Sequence, residues 1–402
     1  MGRHIARFLG KKDLPRRRGL KSIVEMAKKL RVGILFGGRS GEHEVSLLSA
    51  ASILKAIDRR KFDVVPVGIT KEGHWLGGAD AEELLAGKGA EIVRRLQAKG
   101  ALSAAKLLQD GIGTLIDAES KTGRPFDVVF PVLHGTFGED GTIQGLFEMA
   151  GIAYVGSGVL GSSAGMDKDA MKRIFAQAGL PIVKHVTVLR SELEKSPRKV
   201  VSHIEEALKY PLFVKPANMG SSVGISKAHD RKELLPALRL AAKYDRRLVI
   251  EEGVGGKKSK ARELEVAVLG NDAAEASVVG EIVPGKEFYD YEAKYLSEGS
   301  VPMIPAPLTR MESKQIREMA VKAFRACDLA GLARVDFLME PEGKKRIWLN
   351  EVNTLPGFTK ISMYPKLWEA TGVSYRDLIS RLIELAVERQ QEKSQTVYSR
   401  EE

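Results

Sequence analysis

Sulfur chemistry is nearly absent from this chain: its 402 residues include one cysteine, Cys327, in the helical pattern KAFRACDLAG. A lone cysteine rules out an internal disulfide and a cysteine zinc site, and it suits a reducing, cytoplasmic setting. Long apolar runs are missing as well. No stretch reaches the ~18 residues that a membrane span needs, which excludes an integral membrane protein. Neither a Ser-His-Asp order nor a zinc-ligand spacing points to covalent or zinc chemistry. Acidic residues are scarce in one place: residues 1–30 hold ten Lys or Arg against Asp13 and Glu25, a net +8 of the chain's +11. The rest is nearly balanced, so a nucleic-acid-binding class rests on the tail alone, and no nucleic-acid partner is expected. That tail also lacks the apolar core of a secretory signal. Met26 opens MAKKLRVGILFGG and runs straight into a strand. Residues 1–29 are therefore expected to be a disordered basic extension outside the fold.

What is present is enough chain for two or three domains. The segment 30–36 reads as a buried strand, 37–41 (GGRSG) as a turn, and Glu42 opens a helix through Ile57. A strand at 62–69, a helical stretch over 79–109 and a strand at 126–130 follow, a succession that indicates a parallel α/β layer. Gly33-x4-Gly38-Arg39-Ser40 approaches a P-loop, but Arg stands where that loop uses the compact charge of Lys. Glu42 and His43 at the helix start suit a substrate ammonium, and capping of the helix dipole is the plainer reading. The run PVLHGTFGEDGTIQG places His134, Glu139 and Asp140 in a Gly-rich loop at a strand end, where α/β sheets bind ligands. GSGVLG at 156–161 fits the dinucleotide spacing, yet the next strand supplies Lys184 and His185 where that fold wants an acid.

The middle of the chain reads as phosphate chemistry. A helix is expected from Met166 through Ala178, stopped by Gly179. The strand 211–216 delivers Lys215 at its end, and the small-residue loop 217–224 (ANMGSSVG) lets backbone N–H groups approach phosphate oxygens. A helix from about Ser202 precedes it. The strand 248–252 ends in carboxylates, and the Gly/Lys-rich connector after it reads as a domain boundary. In 262–269 Glu263 and Glu265 share a face. The polar-aromatic segment 287–298, with Lys294 and Tyr295, reads as a mobile flap, and a solvated loop is its plainer reading. An amphipathic helix spans 311–330 and the last helix 375–389, followed by a polar tail.

The densest signal is 331–365, GLARVDFLME-PEGKK-RIWLNEVNTLPGFTKISMYP. Alternation puts Ala333, Val335, Phe337 and Met339 on one face, and Arg334, Asp336 and Leu338 on the other. In the second run Ile347, Leu349, Glu351 and Asn353 are expected to share a face. Folded as a hairpin about 341–345, the two runs set Arg334 and Asp336 beside Glu351 and Asn353. Two carboxylates and an amide are hard oxygen ligands, suited to magnesium rather than zinc. With a lysine-and-glycine phosphate cradle, this points to ATP-dependent activation of an acceptor by positioning and charge neutralisation.

Together HGTFGEDG, MDKDAMK, KPANMGSSVGISK, YDYEAKY and RVDFL…NEVNTLPGFTKISMYP resemble the D-alanine–D-alanine ligases of the ATP-grasp superfamily, from about residue 30 to 388. The resemblance implies an α/β, three-domain ATP-grasp architecture: an N-terminal parallel α/β substrate domain (30–150), a central subdomain (151–251), a C-terminal catalytic subdomain (252–388) and a tail (389–402). It implies ATP with two Mg2+ or Mn2+ ions, two D-alanine molecules as substrates, a homodimer, and a place in peptidoglycan precursor synthesis. By the same resemblance Lys168, Lys215 and Ser222 contact phosphate, Glu251, Glu252 and Val254 the adenine, Glu263 the ribose, and Lys294 the nucleotide. Asp336, Glu351 and Asn353 hold the metals. Glu42 holds the first D-alanine's ammonium with His134 nearby, Arg334 and Gly357 face the tetrahedral intermediate, and Ser362 and Met363 receive the second carboxylate. Ser221, Tyr295 and Glu42 join the flap to the substrate, and Tyr295 fits the dipeptide-forming type. A depsipeptide or D-alanine–D-serine ligase is the nearest competing reading. A dehydrogenase rests on GSGVLG alone.

Overall fold

Apolar residues and glycines at every position but Arg31 let Leu30–Gly37 (LRVGILFG) form a strand, β1, buried on both faces as the centre of a parallel sheet requires. In a computed structural model the described residues are 29–98, 126–255, 260–283 and 301–398. The basic extension before residue 29 lies outside them, as does the expected flap with Lys294 and Tyr295. Around β1 stand β2 (Phe62–Ile69), β3 (Trp75–Gly77), β4 (Val128–Val132) and β5 (Ala153–Tyr154), in the order β3-β2-β1-β4-β5. All neighbours are parallel except the edge strand β3. The chain leaves β1 toward β2 on one side and β4 toward β5 on the other. The crevice outside the carboxyl ends of β1 and β4 is therefore a topological switch point, where such sheets bind ligands.

The second sheet is antiparallel, with β6 (His185–Leu189), β7 (Leu212–Pro216), β8 (Ser226–Ala228) and β9 (Arg247–Glu252) in the order β6-β9-β7-β8. Helices Pro197–Ala207 and Arg231–Ala241 cover it, burying Ile204, Leu234 and Leu238 against Val214 and Ile250. The third sheet is also antiparallel: β10 (Arg262–Gly270), β11 (Glu275–Val283), β12 (Val301–Met303), β13 (Gly331–Met339) and β14 (Ile347–Asn353), ordered β12-β11-β10-β13-β14. One of its faces packs on helices Lys168–Gln177 and Arg310–Ala326 through Phe175, Ile316 and Phe324. On the other face Ala267, Leu269 and Leu332 join a core that includes Val32 and Val128 of the first sheet and Leu378 and Leu382 of helix Tyr375–Lys393. The middle sheet hangs on this body by a parallel bridge between Ile182 and Leu349, where Leu349 N–H donates to the Pro181 carbonyl at 2.7 Å.

Several expected elements take different bounds. The helical stretch of 79–109 divides into Gly78–Leu85 and Gly89–Ala98 at Gly87, whose φ of +83° no helix accepts, and its remainder lies outside the described residues. The helix expected from Ser202 begins at Pro197, which fits the first helical position because its missing N–H has no intrahelical partner there. Helix Arg310–Ala326 stops at Cys327, short of Ala330. The last helix continues to Lys393, past Arg389, because Arg389 stacks on the Tyr154 ring at 4.3 Å and Lys393 pairs with Glu148. Among the described residues no helix is long and apolar enough to cross a membrane.

Candidate active site

The first wall of the site is the β1/β4 crevice. Gly37 ends β1 at φ +91°, and a Cβ there would lie 2.1 Å from the Ile69 carbonyl oxygen, so only glycine turns the chain away from β2. That turn delivers Glu42, buried, to the start of helix His43–Ala56. Its carboxylate is wedged between two glycine backbones: a Cβ on Gly135 would meet Oε2 at 2.7 Å and one on Gly220 at 3.0 Å. The Ser221 hydroxyl donates to Oε1. Glu42 and Ser221, 179 positions apart in sequence, thus meet where the 217–224 loop reaches across to the first wall.

His134, at the end of β4, is engaged on both ring nitrogens. Nδ1 donates to the Leu355 carbonyl at 2.9 Å, and Nε2 lies 3.3 Å from the Ser49 hydroxyl, which accepts from the Phe358 N–H at 3.2 Å. The chain Phe358–Ser49–His134–Leu355 is satisfied by the neutral imidazole, and burial lowers the ring's pKa. His134 therefore ties the 354–358 loop to the first wall. Glu139, from the same Gly-rich loop, accepts the Gly135 N–H at 3.2 Å. Burial first, then the Glu42 carboxylate, push its carboxyl well above the usual range.

The second wall comes from the middle sheet. Lys168 opens helix Lys168–Gln177 behind the N-cap Asp167, and its Nζ donates to the Met219 carbonyl at 2.7 Å. The helix start and the loop are further joined by the Lys168 N–H on the Ala217 carbonyl at 2.9 Å. Ser221, Ser222 and Gly224 all take positive φ, a sharply folded backbone of the kind that turns N–H groups toward an anion. Lys215, at the end of β7, sits 2.8 Å from Glu251 Oε2 and 3.5 Å from Asn350 Oδ1. Burial opposes its charge, but the carboxylates of Glu251 and Glu351 outweigh it and raise its pKa. Glu251 is held in turn at about 2, because Lys172 and Lys215 overcome the effect of its burial.

Glu251 thus points inward to two lysines. What β9 offers the cleft is its backbone and the residues after it. Glu252 accepts the Lys209 N–H at 2.9 Å, and together with Val254 it lines a cavity of about 680 Å³. Val183, His185 and Trp348 line the same space, and the Arg346 guanidinium stacks over Trp348 at 5.4 Å. That volume suits a nucleotide-sized ligand.

The third wall is the face shared by β10, β13 and β14. Arg334 pairs with Asn353 and Asp336 with Glu351, so the expected hairpin forms in the expected register at that end. Nearer the turn the pairing slips: Phe337 faces Leu349, leaving Asn350 as an extra, bulged residue. This corrects the face assigned to the second run. Ile347 and Leu349 lie in the core with Val352, whereas Trp348 joins Glu351 and Asn353 on the site face. Glu265 opposes Asp336 from β10 and Glu263 opposes Leu338, so Glu265, Asp336 and Glu351 form one row across three strands. Arg334 forks onto both Asp336 oxygens at 2.7 Å each and reaches Glu265 at 3.2 Å.

Among the described residues no three His, Cys, Asp or Glu side chains stand close enough to hold a metal alone. The candidate set is two carboxylates and an amide. Its oxygen donors fit a hard divalent cation that completes its shell with phosphate oxygens and water, as magnesium does. Asp336 retains acceptor capacity beyond the arginine fork, since a carboxylate offers about four lone-pair sites. At the end of β14, Asn353 Oδ1 accepts the Leu355 N–H at 3.1 Å, and beyond it Ser362, at the N-cap of helix Met363–Thr371, accepts the Thr359 N–H at 3.1 Å. A Cβ on Gly357 would sit 3.2 Å from the Ser362 hydroxyl. Met363 packs instead on Gly280 of β11, where a Cβ would meet its Cε at 2.6 Å.

Residues 31–157 match the family model of the D-ala D-ala ligase N-terminus, and residues 174–384 that of the D-ala D-ala ligase C-terminus. The chain belongs to the D-alanine–D-alanine ligase family. The D-alanine–D-alanine ligase of Natranaerobius thermophilus is 50% identical over 367 residues, covering 91% of this chain and 97% of that protein. The corresponding ligase of Acetivibrio thermocellus is 51% identical over 372 residues, covering 90% and 97%. Among solved structures, the D-alanine-D-alanine ligase from Coxiella burnetii is similar with a TM-score of 0.74 at 34% identity, covering 92% of this chain and 97% of that one. The VanG D-Ala:D-Ser ligase from Enterococcus faecalis has a TM-score of 0.73 at 35% identity, covering 89% and 100%. The architecture is the α/β fold of the ATP-grasp ligases, as expected from the motifs.

Within this D-alanine–D-alanine ligase fold, three buried charged residues had no assigned role in the sequence reading. Glu139 lies in the same motif as His134, Lys172 is one helical turn from Lys168, and Glu265 alternates with Glu263. Each was visible as a spacing, but burial gives it weight. The raised carboxyl of Glu139 has a testable sign. Its stabilisation is fully present below the unfolded carboxyl pKa and is lost as pH rises through the folded value. Between about pH 5 and about pH 8 the parent is therefore expected to lose stability relative to Glu139→Gln, as read by urea denaturation at both pH values.

Proposed function

We propose that this chain joins two D-alanine molecules into D-alanyl-D-alanine, with hydrolysis of one ATP to ADP and phosphate, for peptidoglycan precursor synthesis. The observation that carries the reading is the hairpin register, Arg334 beside Asn353 and Asp336 beside Glu351, on a sheet face next to the nucleotide-sized cavity. In the first step a carboxylate oxygen of the first D-alanine attacks the γ-phosphorus, ADP leaves, and an acyl phosphate forms. The amine of the second D-alanine then attacks the acyl carbon. Phosphate departs and the amine loses its proton to solvent or to a nearby base.

The residues divide this work by position. Glu42 holds the ammonium of the first substrate, with Ser221 fixing the carboxylate and His134 holding the wall behind it. Lys168, Lys215 and Ser222 bind phosphate oxygens. The backbone near Glu251, with Glu252 and Val254, receives the adenine, and Glu263 the ribose. Arg334 and the Gly357 N–H face the oxyanion of the tetrahedral intermediate, where one such donor is worth ~2.7–4 kcal/mol. Ser362, at a helix N-terminus, takes the second carboxylate, with Met363 beside it. Asp336, Glu351 and Asn353 would hold two Mg2+ or Mn2+ ions, which neutralise the charge developing on the transferring phosphoryl group. Lys294 and Tyr295, outside the described residues, complete the cover in this reading. The chain divides into functional units at 30–150, 151–251 and 252–388, flanked by the 1–29 extension and a tail from 389. It works in the cytoplasm as a homodimer, a state that sedimentation of the purified protein would check.

Purified protein with ATP and magnesium is expected to release phosphate only when D-alanine is added, and no release would end this assignment. A D-alanine–D-serine ligase is the second reading, favoured by the likeness to the VanG enzyme. A panel of D-alanine, D-serine and D-lactate as second substrate at neutral pH separates the two, with D-alanine expected to react fastest.

A further inference from the structure

We propose that Lys172 is a positioning residue for nucleotide binding: it takes one oxygen of Glu251 so that the charge of Lys215 remains available to phosphate. The inference rests on the reading of Lys215 as a phosphate-binding lysine. Lys172 lies one helical turn beyond Lys168, and the side chains of residues i and i+4 stand on one face of a helix. While Lys168 reaches the 217–224 loop, Lys172 points into the protein and is only 1% exposed. Its Nζ stands 3.0 Å from Glu251 Oε1, and the other oxygen of the same carboxylate takes Lys215 at 2.8 Å. Neither Lys172 Nζ nor Glu251 Oε1 makes an aligned hydrogen bond.

The immediate count is two ammonium groups to one carboxylate, with the neutral Asn350 amide as the next contact of Lys215. Glu351 and Glu263 act on Lys215 from further away. For stability alone this arrangement is poor. A Lys215–Glu251 pair balances itself, and a third buried charge carries a desolvation cost that an apolar side chain would avoid. It makes sense if the surplus charge is needed. Shared between two lysines, Glu251 neutralises neither, and one positive charge is left to meet an anion. Without Lys172 the carboxylate would belong to Lys215 alone, and the pair would present no net charge to the nucleotide.

The test is binding of MgADP by calorimetry to the full-length protein, without D-alanine. Lys172→Met is expected to weaken binding by about tenfold. Adding Glu251→Gln to it restores one uncompensated ammonium and is expected to return binding to within about threefold of the parent. A residue that merely fills space gives no such rescue, because the second substitution would then add damage. Parent-like binding by Lys172→Met, or a double variant that binds no better than the single one, overturns the proposal. If Lys172→Met does not fold, Lys172→Gln takes its place under the same two criteria. A parent that does not bind MgADP overturns the reading of Lys215 as well, and this result is distinct from a parent that binds while the variant binds equally.

Discussion

Glu351→Gln is expected to lower D-alanine-dependent phosphate release by roughly a thousandfold while leaving the protein folded. The substitution keeps size and shape and removes one negative charge. Glu351 sits opposite Asp336 on a face that is only partly buried, so no packing is lost. What goes is one of two carboxylates in a donor set that has no third to spare among the described residues. The chemistry in question is transfer of a highly charged phosphoryl group, where catalysis is almost entirely placement and charge neutralisation. Steady-state phosphate release gives the rate, and nucleotide binding with and without magnesium gives the reason. The parent is expected to bind ATP more tightly with magnesium, and the variant to lose that gain. A variant that keeps both its rate and its magnesium dependence would remove Glu351 from the metal set.

The second large effect concerns stability. Arg334→Ala is expected to destabilise the fold by about 3 kcal/mol, because it removes the cation paired with Asp336 and Glu265 on a partly buried face. Arg334 pairs with Asp336 through a two-pronged fork, and it also reaches Glu265 across the sheet. Removing it leaves a row of three carboxylates facing one another with their central cation gone. Arg334→Lys keeps the charge but cannot make the fork, so it should recover part of the stability and little of the rate. Chemical denaturation measures the first and phosphate release the second. Equal losses of stability in the two variants would show that the fork, rather than the charge, holds the row together.

The hairpin that carries both predictions was largely legible in the sequence. Alternation in 331–339 identified its two faces, and the polar pairs at i, i+2 identified the register near Asp336. Alternation failed across Asn350, since a bulge changes the phase of a strand without any residue that announces it. The parallel first sheet was legible because its strands are apolar on both faces, and the crevice residues Glu42 and His134 because they follow strand ends directly. β11, with the run EASVVGEIV, was not read as a strand, although two thirds of its residues are buried and it lies between β10 and β12. The inward turn of Glu251 was also hidden. A carboxylate at a strand end reads as a cleft residue, and only the approach of Lys172 from another element shows that it is occupied.

The two-faced core of the third sheet has a mechanical consequence. Counted by sheets the protein has three parts, but two of those sheets share a core. The first sheet, the third sheet and the last helix are joined through one continuous cluster, whereas the middle sheet keeps its own, spanned by Val188, Ile204, Leu234 and Ile250. Packing thus makes a single anvil of the two outer parts, with the proposed substrate crevice and the proposed metal face on the same block. The middle sheet, carrying Lys215 and the 217–224 loop, is the hammer. It is joined to that block by the Ile182–Leu349 bridge, by the grip of Ser221 on Glu42, and by the start of helix Lys168–Gln177, where Asp167 and Asp169 hold Arg247 and Lys172 meets Glu251. On the proposed roles, a nucleotide entering between them meets the Ser221–Glu42 hydrogen bond, so its arrival is coupled to the carboxylate that would hold the first substrate.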